Sequence, residues 1–116
     1  MTGGAGEIGR AIVAGAMERG ARVGVFDSVD LHAQGSGPVH IQTKGSVTDS
    51  AAIQSASSKI ARELGGLDGL ILAAGRMTSK PMTELSFDEW RNDLRVNLDG
   101  AFLTLQHCIP FLADGS

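Results

Sequence analysis

The sequence contains no tyrosine, one cysteine and few aromatic residues of any kind, with four phenylalanines and one tryptophan in 116 positions. Without a tyrosine, no phenol of these residues can exchange a proton with a substrate oxygen. A lone Cys108 cannot close an internal disulfide, and nothing near it has the spacing of a metal cluster. It reads as a thiol on a buried helix face in a reducing compartment, the cytoplasm. Neither sign of charge dominates: the net charge is −3 with acids and bases interspersed, which excludes the basic stripe that tracks a nucleic-acid backbone. No apolar run reaches the length of a membrane span, and Met1 is followed at once by Thr-Gly-Gly rather than by a basic segment and an apolar stretch. No membrane partner is expected. His32, His40 and His107 show no ligand spacing, so no metal is expected either.

What the chain does have is glycine, sixteen of them, gathered near the ends of proposed strands rather than in a low-complexity tract. The length and an apolar share of 42% allow one domain with a real core. From Glu7 to Arg19, Ile8, Ile12, Val13, Ala16 and Met17 recur at helical spacing, and Gly20 stands where a left-handed cap belongs. Arg22 to Asp27 reads RVGVFD, a buried parallel strand by composition. Ser28 to Pro38 is polar and glycine-rich, a loop with at most one helical turn, and Val39 to Gln42 is a candidate edge strand. Asp49 to Leu64 carries a one-sided apolar face and ends at Gly65-Gly66. GLILAA at Gly69 to Ala74 reads as a further apolar strand. Ser86 with Glu89 three residues on matches a capping box and opens a long helix running to about Leu112. That helix is apolar on more than one side, as if buried against both a sheet and another helix or subunit. Trp90 and Phe102 are expected to be core anchors. Alternating strands and helices predict an α/β fold with a parallel sheet and right-handed crossovers.

The chemistry concentrates at the start. Thr2-Gly3-Gly4-Ala5-Gly6-Glu7-Ile8-Gly9 lies just before a helix, where unpaired N–H groups and the helix dipole favour a phosphate. A glycine loop alone is also what a flexible turn looks like. Asp27 closes the next strand eighteen residues beyond Gly9, where a carboxylate can accept hydrogen bonds from a ribose diol; as a bare residue type it could equally be a turn former.

TGGAGEIGR, then VGVFD, then LAAG, then VNLDGAF, in that order and over essentially the whole chain, resembles the short-chain dehydrogenase/reductase family. The resemblance implies a Rossmann-type doubly wound parallel sheet over residues 1–116, present here in part, with the first strand reduced to its end at Met1 and Thr2 and the C-terminal half lacking. It implies NAD(P) along the sheet edge and hydride transfer to or from an alcohol or carbonyl substrate. Gly3 and Gly9 match two of the family's loop glycines, and Ile8 would offer its backbone to the pyrophosphate. Glu7 replaces the middle glycine, with Gly6 beside it to absorb the change. Ser46-Val47 falls where the family commonly has Asp-Val at the adenine. Ala73-Ala74-Gly75 stands at Asn-Ala-Gly, with Leu72 in place of another asparagine. Asn97, preceded by the cofactor-lining Val96, matches the asparagine of the catalytic tetrad, which holds a water and positions a lysine; on residue type alone it could simply cap or bend the helix.

The tyrosine and lysine of that tetrad have no counterpart in these residues, and Lys44, Lys59 and Lys80 lie elsewhere. The chain by itself is therefore expected to be inactive and to fold poorly, the enzyme being a longer form. A non-catalytic dinucleotide-binding or regulatory remnant is the alternative. A methyltransferase binding S-adenosylmethionine shares the glycine loop and acid but has no equivalent of VNLDGAF. Asp27 and Glu7, with no arginine immediately after Asp27, point to NAD over NADP, a preference that Asp27→Ala should relax. The helix-poor Ser28 to Pro38 connection resembles members acting on small polyols or cyclic diols. The doubly apolar helix from Ser86 to Leu112 points to a homo-oligomer in the longer form.

Overall fold

A computed structural model of the chain describes residues 1–31 and 39–116. His32 and most of the expected loop from Ser28 to Pro38 lie outside the described residues.

The glycine loop runs into α1 (Glu7–Glu18), which ends at Arg19 with Gly20 in the left-handed conformation, φ 80°. β1 (Gly24–Asp27) follows and pairs in parallel with β2 (Ile41–Lys44), Gly24 opposite Ile41 and Asp27 opposite Lys44. Both strands begin two residues later than their composition suggests. The N–H of Val23 goes to the His40 imidazole instead of a ladder carbonyl, and Arg22 turns its guanidinium onto the Glu63 and Leu64 carbonyls at 2.7 and 3.0 Å. A cation there sits well, because the end of a helix exposes carbonyls and negative dipole. α2 (Ser50–Leu64) is capped by the Asp49 carboxylate on the Ala52 N–H and closed by left-handed Gly65.

Thr2 forms parallel bridges to Phe26 on one side and Leu72 on the other, so the extended segments run β2, β1, Thr2, Leu72 across the sheet. A further parallel bridge joins Leu67 to Leu112. The stretch from Gly69 to Ala74 is thus extended but is not the continuous buried strand expected. Its ladder is limited to the Thr2 N–H donating to the Ile71 carbonyl and the Ala73 N–H donating to the Thr2 carbonyl, and Ile71 and Leu72 stay part-exposed.

Two apolar clusters lie on opposite faces of this sheet. Val25 points to Ala5, Val13 of α1 and Leu31, while Phe26 points to Ile53, Ala56 and Ile60 of α2. Strand alternation sends neighbouring side chains to opposite faces, which produces a helix layer on each side, the doubly wound arrangement. α2 approaches so closely that a Cβ on Gly24 would lie 2.4 Å from the Ile60 Cγ2.

The capping box is present: Ser86 Oγ accepts from the Glu89 N–H at 3.2 Å and Glu89 accepts from the Ser86 N–H at 2.9 Å. It opens α3 (Phe87–Leu94), and the helix then widens into a π-turn at Arg95–Asp99 before α4 (Gly100–Cys108) and a 3₁₀ turn at Ile109–Phe111. α4 is set against α2 and the loop after β2, with Gly100 so near Val47 that a Cβ would meet its Cγ2 at 2.7 Å. Thr104 and Cys108 face inward from it, and burial pushes the Cys108 thiol pKa up, as befits an apolar rather than a reactive cysteine. Trp90 and Phe102 are not core anchors. Trp90 is 42% exposed and Phe102 is 61% exposed, because the second apolar side of the helix, with Leu98, Leu105 and Ile109, faces away from the sheet and no described element packs over it. No helix of the described residues is long and apolar enough to cross a membrane.

Candidate functional site

Among the described residues, two concavities stand out. The larger, about 500 Å³, is mostly aliphatic and runs between α1, α2, β1 and residues 66–71; none of the candidate cofactor-binding or catalytic residues lines it. The smaller, about 380 Å³, lies over the C-terminal ends of the extended segments and gathers most of them. Its chemistry therefore outweighs its size.

One wall is the glycine loop. Gly3, at φ 72°, is tied through its N–H to the Phe26 carbonyl at 3.1 Å, and a Cβ there would stand 2.3 Å from the Ala73 carbonyl carbon and the Ala74 nitrogen. Gly6 opens α1 with no side chain capping that terminus, so the first-turn N–H groups are left for another acceptor. Glu7, Ile8 and Gly9 form that first turn and do not themselves line the groove: Glu7 and Ile8 are exposed, while Gly9 is buried with its α-carbon face against Gly3. Glu7 thus places a carboxylate at the positive end of a helix, which suits the dipole but competes with any other anion there.

The floor is the end of β1. Asp27 Oδ2 accepts from the Ala5 N–H at 2.8 Å and Oδ1 from the Val29 N–H at 3.0 Å. Lys44 stands in register beside it on β2, a neighbour not legible along the chain. Ser46 and Val47 continue the floor beyond β2. The Ser46 hydroxyl bonds the Thr48 hydroxyl at 2.8 Å and accepts from the Thr48 N–H at 3.2 Å, a local turn that holds the backbone in place of a longer carboxylate.

The far wall is Ala73, Ala74 and Gly75, with Val96 behind them. Beyond Gly75 the chain is strapped to the helix. Asn97, inside the π-turn, accepts from the Arg76 N–H at 2.9 Å and donates to the Arg76 carbonyl at 2.8 Å. Asp93, one turn earlier, accepts from the Thr78 N–H at 2.7 Å, the Thr78 hydroxyl at 3.2 Å and the Arg76 Nε at 2.8 Å. Those donors, the Thr78 N–H foremost, hold the Asp93 carboxyl below the usual range. Sequence reasoning missed Asp93; the one available signal is its position four residues before Asn97, on the same helical face. π-turns collect at functional sites because the extra residue re-aims a side chain, and here it aims Asn97 at main chain.

Among the histidines, His107 bonds the Ser50 hydroxyl at 2.9 Å and His40 holds Val23, both remote from the groove. Among the described residues no group of His, Cys, Asp and Glu is arranged to hold a metal ion.

A glycine loop running into a helix, an acid at the end of the next strand and a groove across the carboxyl ends of parallel segments define a Rossmann-type α/β fold. More narrowly, the model of the short chain dehydrogenase family matches residues 1–116, and the chain belongs to that family of oxidoreductases. It is 35% identical to D-threitol dehydrogenase of Mycolicibacterium smegmatis over 91% of this chain and 44% of that one. An uncharacterised oxidoreductase of Schizosaccharomyces pombe is 34% identical over 97% of this chain and 43% of its own length. Among solved structures, a glucose/ribitol dehydrogenase from Brucella melitensis superposes with a TM-score of 0.91 at 29% identity, covering 100% of this chain and 52% of that one. The ligand-free aldohexose dehydrogenase of Thermoplasma acidophilum gives 0.85 at 26% identity, covering 96% and 42%. The chain therefore spans about half the length of these relatives.

Proposed function

We propose that residues 1–116 form the nucleotide-binding part of an NAD-dependent dehydrogenase that passes hydride between nicotinamide and an alcohol or carbonyl carbon. The observation that carries this reading is the single 380 Å³ groove that brings Gly3, Asp27, Ser46, Val47, Ala73 to Gly75 and Val96 together across the strand ends. The donor set fits a dinucleotide. The uncapped N-terminus of α1 presents the Glu7, Ile8 and Gly9 amides to a pyrophosphate. Each Asp27 oxygen holds one backbone N–H and keeps a further lone pair for a ribose hydroxyl. Ser46 and Val47 would flank the adenine, and Ala73 to Gly75 with Val96 would bed the remainder of the cofactor. Bound NAD supplies the hydride acceptor. Asn97, through Arg76, keeps the wall beside it in place. No tyrosine among these residues can move the substrate proton.

A negative Asp27 at the ribose favours a free 2′-hydroxyl over a phosphate, and Glu7 adds charge of the same sign. Lys44 beside Asp27 opposes that preference without reversing it, because the carboxylate stands in the groove wall and Lys44 does not. The relatives named for threitol, glucose/ribitol and aldohexose support a small polyhydroxylated substrate. The uncovered face with Leu98, Phe102, Leu105 and Ile109 supports a homo-oligomer, and the cytoplasm is the compartment that a single buried thiol suits. Titration of the chain with NADH and NADPH, read by nicotinamide fluorescence, tests the reading: NADH binds more tightly. Tighter NADPH overturns the preference, and binding of neither overturns the nucleotide site in favour of a non-binding remnant.

A further inference from the structure

We infer that Asp27 is a positioning residue for the glycine loop as well as a ribose acceptor, so that loop geometry and nucleotide choice are coupled in one carboxylate. The ribose half of this statement rests on the nucleotide reading above; the loop half rests on geometry alone. Ala5 lies at the crest of the loop, 7% exposed, packed with Val13, Val25 and Leu31. Its N–H is largely withdrawn from solvent where the loop lines the groove, and a donor left unmet there is costly. Its acceptor is Asp27 Oδ2, 22 residues away at 2.8 Å. The loop's other tie to the sheet, from the Gly3 N–H to Phe26, secures only its entry, and the Gly6 N–H turns back onto Gly3 at 3.3 Å. Asp27 is thus what holds the crest of the loop over the end of β1. Its other oxygen accepts from Val29 and fixes the turn by which the chain leaves β1, so the carboxylate is clamped from both sides and cannot swing to follow a ligand.

The consequence departs from a simple charge argument. Removing a negative charge beside the ribose should welcome a 2′-phosphate. Here the same substitution also orphans a buried amide and frees the loop whose backbone would meet the pyrophosphate, which both nucleotides share. Asp27→Ala is expected to narrow the ratio between NADH and NADPH while weakening both, by about tenfold or more for NADH. Asp27→Asn keeps one amide oxygen, enough for one of the two backbone donors, and falls between wild type and alanine.

The test uses the ¹⁵N-labelled chain without ligand and follows amide hydrogen exchange, with nucleotide titrations in parallel. Exchange at Ala5 should accelerate about tenfold or more in Asp27→Ala and less in Asp27→Asn, while the Val25 amide, deep in the sheet, keeps its protection. Unchanged Ala5 protection in Asp27→Ala, or tighter NADPH binding by that variant than by wild type, overturns the inference. If Asp27→Ala loses protection at Val25 as well, Asp27→Asn decides: Ala5 must still exchange faster than in wild type. Should wild type bind neither nucleotide, the cofactor reading fails while Ala5 exchange still rules on the positioning role.

Discussion

Gly3, Gly9 and Gly20 separate two costs that glycine substitutions usually mix. Gly20 sits at φ 80° with nothing within 4 Å of an added Cβ, so Gly20→Ala carries only the left-handed backbone penalty, about 1–2 kcal/mol. Gly9 has ordinary helical geometry, but its Cβ would lie 2.0 Å from the Gly3 carbonyl oxygen and 2.9 Å from the Gly4 Cα. Those are main-chain atoms that cannot rotate aside, so Gly9→Ala incurs an overpacking cost of about 1–3 kcal/mol or more, which outweighs the roughly 1 kcal/mol that alanine gains in a helix. Gly3 combines both, φ 72° and backbone atoms of Ala73 and Ala74 at 2.3 Å. Adding the terms puts Gly3→Ala at about 2–5 kcal/mol, a large part of the roughly 5–15 kcal/mol that a domain has. Urea unfolding followed by circular dichroism should place Gly3→Ala at the lowest midpoint, with Gly20→Ala and Gly9→Ala both above it. NADH affinity should be untouched in Gly20→Ala and lost in Gly3→Ala. Equal midpoints for Gly3→Ala and Gly20→Ala would refute the reasoning, since the contact with the opposite wall would then contribute nothing.

The Lys80 ammonium, donating to Glu89 at 2.5 Å, and the Ser86 N–H and hydroxyl hold the Glu89 pKa at about 2 instead of 4.5. A lowered carboxyl stabilises the fold fully above its unfolded value and loses that contribution as pH falls through the folded one. The difference in urea midpoint between wild type and Glu89→Gln should therefore be constant above about pH 5 and fade toward about pH 2, and a pH-independent difference would count against the ionised Glu89 carboxylate, with Lys80 as its first partner, as the source. Asn97→Asp puts an acceptor against the Arg76 carbonyl now 2.8 Å from Nδ2, so the strap should loosen and trypsin should cut after Arg76 several-fold faster. Unaltered cleavage would mean that the Arg76 segment is held by Asp93 alone.

The glycine loop and both capped helices were legible in the sequence because each depends on neighbours within a few residues, and the strand at Val25 because its apolar, β-branched run is flanked by partners that do form. Asp49, Gly20 and the Ser86–Glu89 pair announce helix ends through local hydrogen bonds, and those appear where expected. What was not legible depends on distant chain. Gly69 to Ala74 has a strand's composition, yet a strand exists only through its partners, and one residue, Thr2, bonds it. Trp90 and Phe102 are apolar, but composition does not say which apolar side of a helix is covered. Asp93 and Lys44 enter the site's surroundings only once the chain has folded Thr78 onto α3 and set β2 beside β1.

The π-turn at Arg95–Asp99 sets the phase of everything after it. Each helical residue advances the direction of its side chain by about 100°, so the widened turn fixes α4 in rotation relative to α3. A single-residue deletion within Arg95–Asp99 that restored regular winding would remove only the extra residue and keep α4 in phase. One that left the wide turn in place would keep α3 and its capping box but turn α4 about its own axis by about one residue's angle. Gly100 would no longer face Val47, where there is no room for a side chain, and Thr104 and Cys108 would be carried toward solvent. In this segment, length is therefore held more tightly than residue identity: a change of side chain alters one contact, whereas a change of count unscrews the helix from the sheet.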